Sequence, residues 1–200
     1  MFASGNEGKL REVRAILEGL DINLVSLAEY ENVPDIVEDG CSFFENALKK
    51  ARAISEFTGE IALADDSGLE INALNGKPGI YSARFAGEDA DDNRNIEKVL
   101  DLLINIPLER RTASFLCALV LYYPDGSHES FEGRWNGLIS ETRQGSNGFG
   151  YDPIFYLPEF GKTVAQLTSQ EKNRISHRAK ALYALKDSLQ KKSVLSKKHW

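Results

Sequence analysis

The residues that could do chemistry stand out first in a short acidic segment, where Asp65 and Asp66 are followed by Ser67 and Gly68. Two adjacent carboxylates repel each other and resist ionising together, so chains usually tolerate such a pair where a cation is bound. A hard cation such as Mg²⁺ takes one or two carboxylates together with substrate phosphates. Asp-Ser-Gly is also good turn chemistry, and an acidic turn is the alternative interpretation.

Other candidate residues lie in further glycine-containing loops and in one cationic helix start. With the acidic segment, these are residues 4–9, 65–68, 145–152 and 172–178. If they meet in one cleft, loop amides and Lys9 would neutralise phosphate oxygens beside the acidic pair. Such a set suits a metal-bound polyphosphate, on which an activated water attacks phosphorus.

Aromatic residues in the third of these loops add a possible base-binding surface. Phe149 and Tyr151 offer ring faces on which a nucleobase could stack. Asp152, His177 and Arg178 could read the edges of that base through hydrogen bonds. The two rings could equally anchor the core, and the cations could form a solvated helix face.

The apolar pattern predicts the elements that would position these residues. Strands are predicted at 2–3, 22–27, 61–64, 113–123, 129–134 and 154–157. Helical stripes cover about 10–20, 43–58, 93–106 and 168–189. Capping boxes at Ser42–Glu45 and Thr168–Glu171 mark two helix starts. Strands and helices without strict alternation predict an α/β fold with a mixed sheet flanked by helices.

Composition narrows the class of protein. The chain has 200 residues, 42% of them hydrophobic, and a net charge of −6, which argues against a general nucleic-acid-binding surface. No apolar run approaches the roughly 20 residues that span a bilayer, so no membrane partner is expected. The two cysteines, Cys41 and Cys117, do not suggest a zinc site or disulfide framework. A reduced, cytoplasmic compartment is therefore predicted.

The motifs taken together resemble the inosine triphosphate pyrophosphatase family, and most closely its bacterial dITP/XTP branch. The resemblance is carried, in order, by S-G-N-E-G-K at 4–9, E-D-G-C-S-F-F-E-N-A at 38–47, A-D-D-S-G-L at 64–69, G-K-P-G-I-Y-S-A-R at 76–84, G-F-G-Y-D-P at 148–153 and S-H-R at 176–178. It implies an elongated two-lobed fold with a central mixed β-sheet, an active-site cleft between the lobes, and usually a homodimer. The implied reaction hydrolyses ITP, dITP and XTP to the monophosphate and pyrophosphate with Mg²⁺, which keeps deaminated purines out of DNA and RNA.

The resemblance also implies roles for individual residues. Asp66 resembles the general base and a metal ligand, and Glu38 is the best second carboxylate, with Asp65 and Glu45 competing for that place. The implied phosphate-binding loop comprises Ser4, Gly5, Asn6, Glu7, Gly8 and Lys9. The other implied substrate contacts are Ser67, Phe149, Gly150, Tyr151, Asp152, Lys172, His177 and Arg178. One departure is the short start, since family members usually have a fuller apolar strand before the loop at Ser4.

The expected organisation is a single two-lobed domain over residues 1–190 with a flexible basic tail at 191–200. Two other functions fit a nucleotide site. One is a Maf-like pyrophosphatase that acts on modified pyrimidine or methylated nucleotides. The other is a regulatory module that binds nucleotide without turnover, although a pure binder would have little need for two adjacent acids near phosphates.

Overall fold

The computed structural model describes residues 1–196, with side chains described to residue 192. The α-helices are α1 (Glu7–Leu17), α2 (Phe43–Thr58), α3 (Asp92–Leu102), α4 (Ser169–Ile175) and α5 (His177–Ser196). The strands are β1 (Ala62–Ile71), β2 (Thr112–Tyr122), β3 (His128–Ile139), β4 (Phe155–Leu157) and β5 (Lys162–Thr163). Short 3₁₀ turns connect several of them. No helix in this described part is long and apolar enough to span a bilayer.

The five strands form one sheet in the order β1-β2-β3-β4-β5. Strands β3 and β4 pair antiparallel, with Leu138 opposite Tyr156, and β4 pairs antiparallel with β5. Phe2 adds parallel bridges to Ser26 and to Leu63. The predicted α/β class, with a central sheet flanked by helices, is therefore confirmed, although the five-strand sheet is antiparallel and the parallel pairs among the described residues are limited to the isolated bridges of Phe2.

The chain divides into two compact units, each with a hydrophobic core. The first unit comprises residues 1–66, 117–133 and the chain from Arg178 onward, and the second comprises 67–116 and 134–177. The core of the first unit includes Phe2, Val13, Leu63, Leu119 and Leu182. The core of the second includes Leu69, Ile71, Phe115, Trp135 and Ile154.

Helix α2 forms where the capping pattern predicts it. The Ser42 hydroxyl accepts the Glu45 backbone N–H, and the Glu45 carboxylate accepts the backbone N–H of Cys41 at 2.7 Å. Gly59 ends the helix with φ of 72°, a left-handed conformation that costs glycine least. These signals are local in the sequence, which is why both ends of the helix are predicted correctly.

Strand β1 corrects the interpretation of the acidic segment. The predicted strand ended at Ala64, but the strand runs on through Asp65, Asp66 and Ser67 to Ile71, and the acidic-turn alternative is wrong. Each aspartate lies beside a basic side chain, Lys9 for Asp65 and Lys50 for Asp66. These cations offset the cost of placing carboxylates inside a buried strand.

Two further element predictions are wrong. The segment 22–27 forms an isolated bridge instead of a strand: Ser26 is bridged to Phe2, whose N–H donates to the Val25 carbonyl at 2.9 Å, and a 3₁₀ turn follows at Leu27–Glu29. The predicted helix over 168–189 is two helices, because Ser176 has an extended conformation (φ −66°, ψ 162°).

The C-terminal helix is longer than predicted. Helix α5 continues to Ser196, into the segment predicted as a flexible tail. Lys192 donates to Glu129 Oε1 at 2.6 Å, and Glu129 also accepts from the Tyr123 hydroxyl at 2.6 Å. The prediction for residues 197–200 lies outside the described residues.

Candidate active site

Residues 4–9 are a short loop followed by the first turn of a helix, rather than one continuous loop. The Asn6 Oδ1 accepts the Lys9 backbone N–H at 3.0 Å and caps α1, so Glu7, Gly8 and Lys9 are helical. The Ser4 hydroxyl accepts the Asn6 N–H at 3.2 Å. Gly5, Asn6 and Glu7 are exposed. The segment therefore combines a helix N-terminus with a lysine, which is suited to phosphate oxygens.

A buried charge network surrounds Asp65 in the first unit. Lys9 Nζ lies 3.1 Å from Asp65 Oδ1. Arg178 donates Nε and Nη2 to Asp65 Oδ2 at 3.1 and 3.0 Å, and Nη1 to Glu12 Oε2 at 2.5 Å. Asp65 is 0% and Arg178 2% exposed. Asp65 thus serves as the counter-ion of two cations, which argues against it as the second metal carboxylate.

The electrostatics of this network keep the guanidinium charged. Burial acts to lower the pKa of Arg178, but the charges of Asp65 and Glu12 outweigh burial and hold that pKa above its ordinary value. The network is therefore a set of permanent charges. Its parts depend on one another, because a buried charge without its partner is costly.

Asp66 lies in a different cluster of the same unit, which we call the Asp66 cluster: Glu38, Asn46, Lys50 and Asp66. The Asn46 side-chain amide donates to Asp66 Oδ2 at 3.1 Å. Lys50 Nζ lies 3.3 Å from Glu38 Oε2 and 3.8 Å from Asp66 Oδ1. The two predicted carboxylates, Asp66 and Glu38, thus both lie near the Lys50 ammonium group.

Burial raises the pKa of the Asp66 carboxyl above its ordinary value, and the charge on Glu38 adds to this. Lys50, Lys9 and the hydrogen bond from Asn46 act in the opposite direction without cancelling the shift. A carboxylate with a raised pKa is a better proton acceptor near neutral pH. The direction of the shift therefore suits the predicted general base.

The oxygen donors of the Asp66 cluster suit a hard divalent cation. The ammonium group of Lys50 shows that the two carboxylates accommodate a positive charge between them. Glu45, the competing carboxylate, instead accepts the backbone N–H of Cys41. Within residues 1–196, no group of three or more His, Cys, Asp or Glu side chains is placed to hold a metal ion. Two carboxylates suffice for a hard divalent cation that completes its ligands with phosphates and water.

The predicted base-binding loop lies in the second unit, and its two aromatic residues differ. Tyr151 is 5% exposed in the hydrophobic core, and its hydroxyl donates to the Ser82 carbonyl at 2.8 Å. Tyr151 therefore anchors the core, as the alternative interpretation expects, and its role as a stacking face stays a prediction. Phe149 is half-buried, and Lys172 Nζ lies 4.4 Å from its ring centroid.

Asp152 and Lys172 form a buried ion pair that supports this loop. Lys172 Nζ donates to Asp152 Oδ2 at 2.6 Å, and the same oxygen accepts the Phe149 backbone N–H at 3.0 Å. Gly148 has φ of +79°, and a Cβ there would meet Asp152 Oδ2 at 1.9 Å, so glycine is required. Gly150 donates its N–H to Asp92 Oδ2 at 2.7 Å, which ties the loop to the start of α3.

The remaining predicted contacts are divided between the units. Ser67 is half-buried in β1 and belongs to the second unit with Lys172 and His177. The His177 ring is buried and stacks on Phe115 at 4.8 Å between centroids. Arg178 belongs to the first unit, in the network of Asp65. That His177 and Arg178 present donors to a base edge stays a prediction.

Sequence reasoning missed three polar residues that lie on buried helix faces. Asn46 and Lys50 are four residues apart on the buried face of α2, and Glu12 interrupts the buried stripe of α1. Polar residues at such positions are the available signal, since buried polar groups need partners. Their partners, however, come from distant parts of the chain and cannot be read from local spacing.

Comparison with known proteins gives consistent matches over nearly the whole chain. The model of the Ham1 family matches residues 1–188. A dITP/XTP pyrophosphatase of Geobacter sulfurreducens is 50% identical over 189 residues, covering 94% of this chain and 95% of that protein. A solved HAM1 protein from Coxiella burnetii superposes with a TM-score of 0.87 at 45% identity, covering 95% and 97% of the two chains. The Staphylococcus aureus Ham1 protein gives 0.86 at 42% identity, covering 96% and 97%.

Proposed function

Because the chain belongs to the Ham1 family, we propose that it hydrolyses deaminated purine nucleoside triphosphates, namely ITP, dITP and XTP, to the monophosphate and pyrophosphate. This activity would remove deaminated purines before they enter DNA or RNA. The observation that carries the proposal is Asp66, a buried carboxylate with a raised pKa beside Glu38 and Lys50.

Asp66 and Glu38 are the residues that would hold Mg²⁺. When bound, a divalent cation withdraws charge from phosphate oxygens and lowers the pKa of a bound water. The protein usually contributes one or two carboxylate ligands to such a site. In this structure the Lys50 ammonium group lies near both carboxylates. The choice of Mg²⁺ over other divalent cations is part of the proposal.

The chain's own residues would carry out the proton transfer and the neutralisation of charge. Asp66 accepts a proton from the water that attacks the α-phosphorus. Lys9 and the amides at the start of α1 bind phosphate oxygens, as helix N-termini do. The Asn46 amide holds Asp66 in place while the proton moves.

Base selectivity is assigned to the loop at Phe149 and to the Asp152–Lys172 pair. The half-buried Phe149 ring supplies a stacking surface, and Lys172 is a fixed donor beside it. A 6-keto purine accepts a hydrogen bond from such a donor, whereas the 6-amino group of adenine presents another donor. The adenine amino group would thus face the Lys172 ammonium donor to donor, and a hydrogen bond left unmade in a desolvated site costs about 1–3 kcal/mol, so adenine is disfavoured.

A substrate panel tests this proposal. The wild-type protein is assayed on ITP, dITP, XTP, GTP, ATP and dUTP, with and without Mg²⁺, and pyrophosphate is detected through added inorganic pyrophosphatase. We expect Mg²⁺-dependent release of pyrophosphate from the first three. Preference for dUTP or for a methylated nucleotide would instead support the Maf-like alternative, and tight binding without turnover would support a regulatory module.

The homodimer and the cytoplasmic location stay predictions. Light scattering during size-exclusion chromatography measures the first directly. A mass of two chains of 22.3 kDa is expected, and a single chain would contradict it.

A further inference from the structure

We propose that Asn46 is a positioning residue that fixes the Asp66 carboxylate relative to the loop that carries Glu38. The inference rests on the proposed function for its catalytic meaning, although its central test does not need turnover. Asn46 lies on α2, is 0% exposed and has a hydrogen bond on each side of its amide.

The two hydrogen bonds of Asn46 fix which way its amide points. Gly40 donates its backbone N–H to Asn46 Oδ1 at 2.8 Å, so the oxygen must face the loop. The NH₂ group therefore faces Asp66, where Nδ2 lies 3.1 Å from Oδ2. Reversing the amide would set two donors against each other at Gly40 and two acceptors against each other at Asp66.

Gly40 approaches Asn46 more closely than any other residue type could. A Cβ at position 40 would lie 2.7 Å from Asn46 Oδ1 and 2.8 Å from Glu45 Cβ. Glu38 is only two residues before this contact. The close packing of Gly40 against α2 therefore also restricts where the Glu38 carboxylate can lie. Asn46 thus links, through one buried amide, the loop of one proposed metal ligand to the side chain of the other.

The amide also gives the two Asp66 oxygens different partners. Oδ2 accepts from Asn46, while Oδ1 faces Lys50, which lies between it and Glu38. Hydrogen bonds behind a carboxylate ligand orient it, and losing such a partner typically costs about 10–100-fold in metal affinity or activity. Asn46 therefore acts through Asp66 rather than on substrate.

A double-mutant cycle on the metal-free protein tests this link. Asn46→Asp keeps an acceptor for Gly40 but sets a second buried carboxylate against Asp66. In the Asp66→Asn background, Asn46→Asp restores the hydrogen bond between the two positions, because the amide at position 66 now donates to the carboxylate at position 46. We expect Asn46→Asp to lower Tm by at least about 4 °C more in the wild type than in the Asp66→Asn background.

Asn95 supplies a matched control for the cycle. It is also a buried helical asparagine, accepting the Ala86 N–H at 2.7 Å and donating to the Ala83 carbonyl at 3.0 Å. Asn95→Asp should lower Tm equally in the two backgrounds, since its donor does not meet Asp66. Equal losses for Asn46→Asp in both backgrounds would overturn the proposed link.

The catalytic consequence has its own readout. Asn46→Ala should lower kcat about 10–100-fold, with KM for XTP changed less than kcat. If that variant does not fold, Gly40→Ala displaces the same amide from the loop side and should lower kcat in the same way. Unchanged kcat in the folded variant would overturn the positioning role. An inactive wild type would instead count against the proposed function and leave the cycle interpretable.

Discussion

Asp65 and Asp66 are neighbours in the chain but have different electrostatic surroundings. Asp65 is fully buried between Lys9 and Arg178, and it balances their charges. Asp66 accepts from the neutral amide of Asn46 and lies beside Lys50 at the longer distance of 3.8 Å. Successive side chains of a strand point to opposite faces, which is how one dipeptide supplies both environments. The acidic pair therefore divides into a structural counter-ion and a candidate base.

Asp66→Asn should separate catalysis from stability. General-base catalysis contributes roughly 10²–10⁴-fold, so kcat should fall at least that far. Burial raises the pKa of Asp66 in the folded protein above its value in the unfolded chain. The folded state therefore loses stability as the pH rises from the unfolded-state pKa through the folded-state pKa, because the buried carboxyl must then ionise. At neutral pH the metal-free variant should therefore have a higher Tm than the wild type, and the difference should shrink in acid.

The measurements are steady-state kinetics and thermal unfolding in the presence of a chelator. Asp39→Asn is the matched control, because Asp39 is exposed and Lys49 lowers its pKa. That change should leave kcat unaltered and should not raise Tm. Near wild-type turnover in folded Asp66→Asn would remove Asp66 as the base.

Arg178→Ala should act mainly on the free energy of unfolding. The substitution leaves the Asp65 and Glu12 carboxylates without their buried cation, and breaking such a pair costs about 3–5 kcal/mol. Denaturant unfolding measures this loss. Arg52→Ala is the control, because its ion pair with Glu56 is exposed to solvent and such surface pairs contribute little to stability. Equal losses for the two variants would contradict the structural role assigned to Arg178.

At the scale of elements, local sequence signals predict where a helix begins and ends better than they predict how far a strand continues. The helix from Phe43 to Thr58 is predicted correctly because its caps, Ser42 and Gly59, are neighbours in the sequence. Strand β1 is predicted too short, because the cations that let it continue through Asp66 come from other elements. The break between α4 and α5 at Ser176 is not predicted, because neither proline nor glycine occurs there in the sequence.

The candidate residues show the same limit. The sequence identifies Asp66, Glu38 and the loop around Phe149 by motif and resemblance. It does not separate Tyr151 in the core from Phe149 at half exposure, since both are aromatic residues in one loop. That distinction depends on the Ser82 carbonyl, 69 residues away in the chain.

The start of α3 gives a prediction at this scale. Asp92 accepts the Gly150 N–H at 2.7 Å and so holds the loop that carries Phe149. Asp92→Ala should free that loop and raise KM for XTP roughly fivefold, the equivalent of one hydrogen bond of about 1 kcal/mol. Asp101→Ala, an exposed acid of the same helix, is the control in the same kinetic assay. An unchanged KM in Asp92→Ala would show that α3 does not brace the loop.

At the scale of the whole molecule, the net charge is negative, but positive side chains lie beside the candidate site residues. A net charge of −6 is unfavourable for a polyanionic substrate, yet Lys9, Lys50 and Lys172 lie beside candidate substrate-binding groups. The match to the Ham1 family spans residues 1–188, so both units belong to the matched region. Selectivity for deaminated purine triphosphates is therefore proposed for the whole chain.

The ratio of kcat/KM for XTP to kcat/KM for ATP, measured with Mg²⁺ on the wild-type protein, tests that claim most directly. Keto-selective recognition predicts a ratio of at least about 100, with pyrophosphate as the released product. Equal values for XTP and ATP, or release of inorganic phosphate instead of pyrophosphate, would contradict it.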